Sequence, residues 1–170
     1  KLRVGVVKEG SYLNQGDILT FTNEEIEGDS TRVYMTYQQC PKDVKVGERI
    51  LIDDGKLVLE VVETNEKDTV KAKTIQGGVL SSKKGVNLPN TNVSLPALTK
   101  KDIQDANFML DLELDWIALS FVRHAQDIID LKELIHNHPK GKNFKTPIIA
   151  KIEKPEGVKN IDEILEYCDG

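Results

Sequence analysis

Long apolar runs are missing from this chain. None of its hydrophobic stretches reaches the roughly 18 residues that a membrane-crossing helix needs. Its opening, KLRVGVV, shows no basic start followed by an apolar core of the secretory kind. Cysteine is scarce: Cys40 and Cys168 lie far apart with no CxxC, which points to a reduced, cytoplasmic protein with two ordinary thiols and not to a disulfide framework. Aromatic residues make up 5% of the 170 positions and the net charge is −5. A nucleic-acid surface, which needs a basic face with exposed aromatics, is therefore not expected. Neither GxxxxGK[ST] nor GxGxxG occurs, so a P-loop or a dinucleotide fold has no support. His136 and His138 stand two apart and cannot share a helical face, so they do not suggest a metal site, and His124 has no evident partner.

What is present changes character near the middle. Up to about Leu80 the chain is a series of short runs rich in Val, Ile, Thr and Tyr: LRVGVV, DILTFT, TRVYMTY, RILID, KLVLEVVET and VKAKTI. Asp54-Gly55 between two of them predicts a hairpin with a tight two-residue turn. Short strands with turns between them predict a small barrel or sandwich. From about Ala97 the pattern alternates. A helix is predicted from Thr99 as N-cap, then a strand DWIALSFV, a helix AQDIIDLKELIHNH, a strand TPIIAKIE and a helix PEGVKNIDEILEY with Pro155 in its first turn. Apolar strands alternating with helices predict a parallel sheet covered by helices. Two such strands alone leave open edges, so this half is expected to be a piece of a larger α/β unit.

In the stretch TPIIAKIEKPEG, Lys151 and Glu153 sit at positions i and i+2 and share one face of a strand end. The C-terminal edge of a parallel sheet is where ligands bind in such folds. A lysine there can stabilise developing negative charge, and a glutamate can hold a divalent metal. The ordinary alternative is a salt-bridged pair at a solvated edge. Phe121 and Arg123 end the preceding strand, where Phe121 could face a substrate or simply pack in the core. Lys83-Lys84-Gly85 is a basic loop that could meet a phosphate or be a solvated linker. Asp53 and Asp54 read first as turn residues of the hairpin.

In order and spacing, the words KLRVG, IDDGKLVLEV, KKGVNLP, LPALTKKDIQD, DWIALSFVR, AKIEKPEG and IDEILEYCDG resemble pyruvate kinase over essentially the whole chain. The resemblance implies a mixed fold. Residues 1–85 would be a small all-β barrel lid domain. Residues 86–170 would be a partial (β/α)8 TIM-barrel segment of about two βα units. The implied activity is transfer of the phosphoryl group of phosphoenolpyruvate to ADP, giving pyruvate and ATP. By the same resemblance Lys151 is catalytic and neutralises charge on the phosphoryl and the enolate. Glu153 is a ligand of Mg²⁺ or Mn²⁺, and Phe121 lies beside the substrate methylene. Arg3 is catalytic and contacts phosphates, while Asp54 and Lys84 approach the nucleotide when the lid closes. Lys1 stands where a glutamate goes with a potassium requirement and a lysine goes with independence of it, so potassium is not expected to be needed.

A second acidic metal ligand is expected in a strand past Gly170, and further site residues before Lys1. The 170-residue segment alone is therefore expected to be inactive, with the parent a cytoplasmic homotetramer that binds neither nucleic acid nor membrane. Asn90 stands where many members have glycine, a small departure because Asn tolerates left-handed backbone. Two other readings stay open. One is another metal-dependent phosphoenolpyruvate/pyruvate-type barrel enzyme, a carbon–carbon lyase, which would not need the β insertion. The other is a non-catalytic β-barrel binding module.

Overall fold

A computed structural model describes residues 2–94, 96, 98–140 and 146–170. The expectation attached to Lys1 lies outside the described residues. The chain divides into two compact units, Lys1–Ser94 and Leu95–Gly170.

The first unit is built on alternation. Its sheet is six-stranded, in the order β3 (Arg32–Tyr34), β2 (Ile18–Thr22), β6 (Thr69–Gln76), β5 (Leu57–Thr64), β4 (Arg49–Ile52), β8 (Val86–Asn87). Every second side chain points inward: Leu19 and Phe21, Ile50 and Ile52, Leu57, Leu59 and Val61, Val70 and Ala72 are all buried. A minor pair, β1 (Tyr12–Leu13) with β7 (Gly78–Val79), is antiparallel. The two outer strands of the large sheet would leave open edges. Residues 2–7 close them. Val4 N–H donates to the Lys84 carbonyl and Val86 N–H to that of Leu2 on one side. Gly5 N–H donates to Tyr34 and Thr36 N–H to Arg3 on the other. The expected LRVGVV strand thus exists as a bridge between edges, and the unit is a β-barrel domain with its edges paired.

This unit runs past residue 85, because residues 86–94 are fastened to the barrel. Thr91 donates its hydroxyl to Glu48 at 2.7 Å, and both the N–H and the hydroxyl of Ser94 donate to Asp43 Oδ2 at 2.9 Å. The Tyr37 hydroxyl donates to the same carboxylate oxygen. Asp43 ends a short helix, α1 (Cys40–Asp43), that was not expected from the sequence. Burial, and then the hydrogen bond to Asp43, push the Tyr37 hydroxyl up to about 12. Burial, and then the Asp43 charge, push the Cys40 thiol up to about 12. Both groups are neutral in the fold and ionise more easily when unfolded, with ordinary values of 10.0 and 9.0. Their contribution is complete below pH 9 and is lost as pH rises towards 12. The thermal midpoint of this unit should therefore fall across that range, and Tyr37→Phe with Cys40→Ala should flatten the fall. Iodoacetamide should label half-buried Cys168 in the native state and Cys40 only after unfolding.

The second unit alternates as expected. Helix α2 (Lys100–Asp111) starts at the Thr99 N-cap, where Thr99 Oγ1 accepts Asp102 N–H and Asp102 returns a bond to Thr99 N–H. Strands β9 (Ile117–Leu119) and β10 (Ile148–Ala150) pair in parallel, Ile117 opposite Ile148 and Leu119 opposite Ala150. Helix α3 (Ala125–Asn137) links them in sequence. Ile128, Leu131 and Ile135 on its inner face pack with Ile117, Val122, Ile148 and Ile164 into one apolar core. Beyond β10 the backbone of Asp169 and Gly170 continues the ladder: Asp169 N–H donates to Ile148 and Ala150 N–H to Gly170. The single helix expected over residues 155–167 is two, α4 (Pro155–Lys159) and α5 (Ile161–Tyr167), broken at Asn160.

Candidate functional site

The parallel register sets the site. Because Leu119 lies opposite Ala150, both strands end at the same level, and the two following turns leave the same edge. The turns are stitched together: Lys151 N–H donates to Leu119 and Val122 N–H to Lys151. Lys151 and Glu153 lie just beyond β10 and do point the same way. Lys151 Nζ is 3.3 Å from Glu153 Oε1 and donates to Ser120 Oγ at 3.2 Å. The other oxygen, Glu153 Oε2, accepts the Phe121 N–H at 2.9 Å.

Phe121 itself is unusual. Its φ is 58°, in the left-handed region that a bulky side chain rarely adopts, at a cost of roughly 1–3 kcal/mol. That conformation turns its N–H towards Glu153. The Lys151 and Glu153 side chains keep 44% and 35% of their exposure, so water screens the pair and it contributes roughly 0–1 kcal/mol to stability. The pair therefore does little for the fold.

The floor of the site is more tightly built. Gly157 lies so close to the first turn that a Cβ there would come within 2.5 Å of the Val122 carbonyl oxygen. Asp127 is buried and accepts the N–H groups of Arg123 at 2.8 Å and His124 at 3.3 Å, holding the start of α3. Asp127→Ala should cost roughly 1–3 kcal/mol in denaturant unfolding by leaving those donors unpaired. Lys154 is buried, and its amine is pulled down first by burial and further by Arg123, with Glu156 opposing.

The other expected residues lie in the β unit, grouped around Gly85. Arg3 bridges to Gly85, and Asp53 N–H donates to the Gly85 carbonyl. The exposed Arg3 guanidinium donates Nη1–H to the Lys83 carbonyl at 2.6 Å. Asp54 and Gly55 are the centre of the hairpin turn, both with positive φ, and Lys56 N–H closes it onto Asp53. Asp54 is exposed and, among the described residues, makes no ion pair. The carboxylate that meets Lys84 is Asp53, with Oδ1 3.1 Å from Nζ. Hydrogen bonds from Lys56 and then Lys84 hold the Asp53 carboxyl below its usual range. In the sequence Asp53 and Asp54 read alike, as turn residues whose carboxylates could also reach a metal–nucleotide; the structure separates them, with Asp53 on Lys84 and Asp54 at the exposed tip.

Among the described residues, no cluster of three or more His, Cys, Asp or Glu could hold a metal ion. Glu153 offers a single carboxylate. That suits Mg²⁺ or Mn²⁺, which keep several waters and take further oxygens from a phosphorylated substrate, and it does not suit a closed structural site. His138 is buried with Nε2 3.5 Å from Asp111 Oδ1, a contact within the fold.

A family model described as pyruvate kinase, barrel domain, matches residues 1–170. The chain is 43% identical over 170 residues to pyruvate kinase of Mycobacterium intracellulare, covering 99% of this chain and 35% of that protein. It is 41% identical over 172 residues to pyruvate kinase of Clostridium perfringens, covering 100% of this chain and 35% of that one. To pyruvate kinase 2 of Synechocystis sp. it is 45% identical over 175 residues, covering 100% of this chain and 29% of the relative. The chain thus spans about a third of the length of these curated relatives.

Proposed function

The chain belongs to the pyruvate kinase family, and on that premise we propose that it is a segment of an enzyme moving the phosphoryl group of phosphoenolpyruvate to ADP. One observation carries the reading. A lysine ammonium, a carboxylate and a strained aromatic turn converge at the C-terminal edge of two parallel strands, where they add little to stability. Catalysis of phosphoryl transfer is mostly positioning and charge stabilisation, and these groups suit both tasks.

Lys151 would hold its ammonium against the phosphoryl oxygens and the enolate oxygen of the departing pyruvate. Ser120 and Glu153 fix where that ammonium sits. Glu153 would hold the divalent cation, which supplies further charge neutralisation when bound. Phe121 would place its ring beside the substrate methylene. Arg3 and Lys84 would bind nucleotide phosphates, with Asp54 nearby at the exposed turn. The second unit fits a piece of a (β/α)8 barrel, supported by the parallel pairing that continues at Asp169 and Gly170. A cytoplasmic homotetramer is the assembly this reading carries with it.

Coupled measurement of pyruvate from phosphoenolpyruvate, ADP and Mg²⁺ tests the assignment in the full-length protein; absence of turnover overturns it. The segment alone should give none. Lys1 supplies a separate test. Rates in sodium and in potassium should agree, because its ammonium would stand in for the monovalent cation, and a large potassium requirement defeats that role.

A further inference from the structure

Asn160 interrupts what the sequence otherwise writes as one helix, with φ −103° and ψ 20° between α4 and α5. The break has a use. It brings the Asn160 amide to the Arg123 carbonyl, to which Nδ2 donates at 2.8 Å. Arg123 lies two residues beyond Phe121, in the same turn. Asp127 of α3 holds the Arg123 and His124 N–H groups, and the rest of the turn is held from the following βα segment. Phe121 N–H is bound by Glu153, and Val122 N–H by the Lys151 carbonyl. The Val122 carbonyl presses on Gly157, and Ala125 N–H is bound by Glu163 Oε1 at 3.2 Å. A left-handed phenylalanine persists only when its surroundings over-determine it. Of these ties, Asn160 is the side chain that holds the turn's own carbonyl without belonging to the site.

We propose that Asn160 is a positioning residue: by clamping the Arg123 carbonyl it keeps the Phe121 turn left-handed, and so keeps the Phe121 N–H on Glu153 and the Glu153 carboxylate beside Lys151. The proposal rests on the phosphoryl-transfer reading for its catalytic consequence, but not for its structural one. The helix break is then part of the site's support, and a continuous helix over residues 155–167 would lose the clamp.

The test uses Asn160→Asp in the full-length protein. Aspartate keeps the shape and is as good at starting α5, but it has no N–H to donate and sets a carboxylate against a carbonyl. Hydrogen–deuterium exchange of the peptide covering residues 119–125 should speed up. The turnover number should fall about tenfold while KM for ADP stays within about twofold, since nothing that touches nucleotide has changed. Ile135→Val, a buried change near the C-terminal end of α3 that alters no hydrogen bond of the turn, serves as the stability control. It should leave both exchange and turnover as in the wild type. Unchanged exchange in Asn160→Asp overturns the proposal. So does faster exchange with normal turnover, or an equal loss in the control. If the wild-type protein makes no pyruvate, the phosphoryl-transfer reading falls, while faster exchange in Asn160→Asp still upholds the clamp.

Discussion

Lys151→Met in the full-length protein should lower pyruvate formation by about 10²- to 10³-fold, the scale seen when one preorganised charge-stabilising donor is removed from a site. The loss should fall on the turnover number, with KM for phosphoenolpyruvate changed far less, because the ammonium is matched to charge that grows only as the phosphoryl group moves. Methionine keeps most of the length and the apolar stem of lysine and removes the ammonium, with its charge and its hydrogen bond to Ser120. The thermal midpoint should barely move, since Lys151 is 44% exposed and its pair with Glu153 contributes roughly 0–1 kcal/mol. That separation gives the test its force. A residue that merely closes a strand end would alter stability and activity together or neither. Normal turnover in Lys151→Met would leave the Lys151–Glu153 pair as a surface contact and remove the main support for the site.

Much of this site could be read from local pattern, and the reason is physical. Two-residue alternation in LVLEV and ILTFT reflects one buried face and one exposed face, which holds wherever the strand pairs. The Thr99 cap needs only Asp102 three residues on. Lys151 and Glu153 share a face because strand geometry makes i and i+2 neighbours. What escaped is what depends on distant backbone. Residues 2–7 look like an ordinary strand, yet their role as the seam of the barrel depends on edges near residues 35 and 85. Residues 86–94 look like a linker until Glu48, Asp43 and Tyr37 take hold of them. Asp53 faces Lys84 with a left-handed backbone of its own, one residue ahead of the Asp54-Gly55 pair whose positive φ the dipeptide rule does specify. The break at Asn160 does have a local mark, an Asn with Asp162 and Glu163 in the turn that follows, whereas the conformation of Phe121 has none in its own neighbours and depends on the other βα segment.

Gly157 shows how strongly that mutual support is enforced. It is buried, and the methyl group of Gly157→Ala would have to share space with the Val122 carbonyl oxygen at 2.5 Å, a backbone atom that cannot rotate away. Either α4 or the turn must shift. Overpacking of this kind costs roughly 1–3 kcal/mol, so the melting temperature of the second unit should drop by several degrees. Turnover should fall as well, because the displaced carbonyl lies between Phe121 and Arg123, and the Phe121 N–H is what fixes Glu153. Gly85→Ala is the contrast. Nothing lies within 4 Å of a Cβ built there, and its melting temperature should be unchanged or slightly raised, as the alanine restricts the unfolded chain. If Gly157→Ala melts like the wild type and turns over normally, the approach of α4 to the Val122 carbonyl is looser than the geometry states, and the turn must owe its left-handed phenylalanine to its hydrogen bonds with Lys151, Glu153, Asn160 and Glu163.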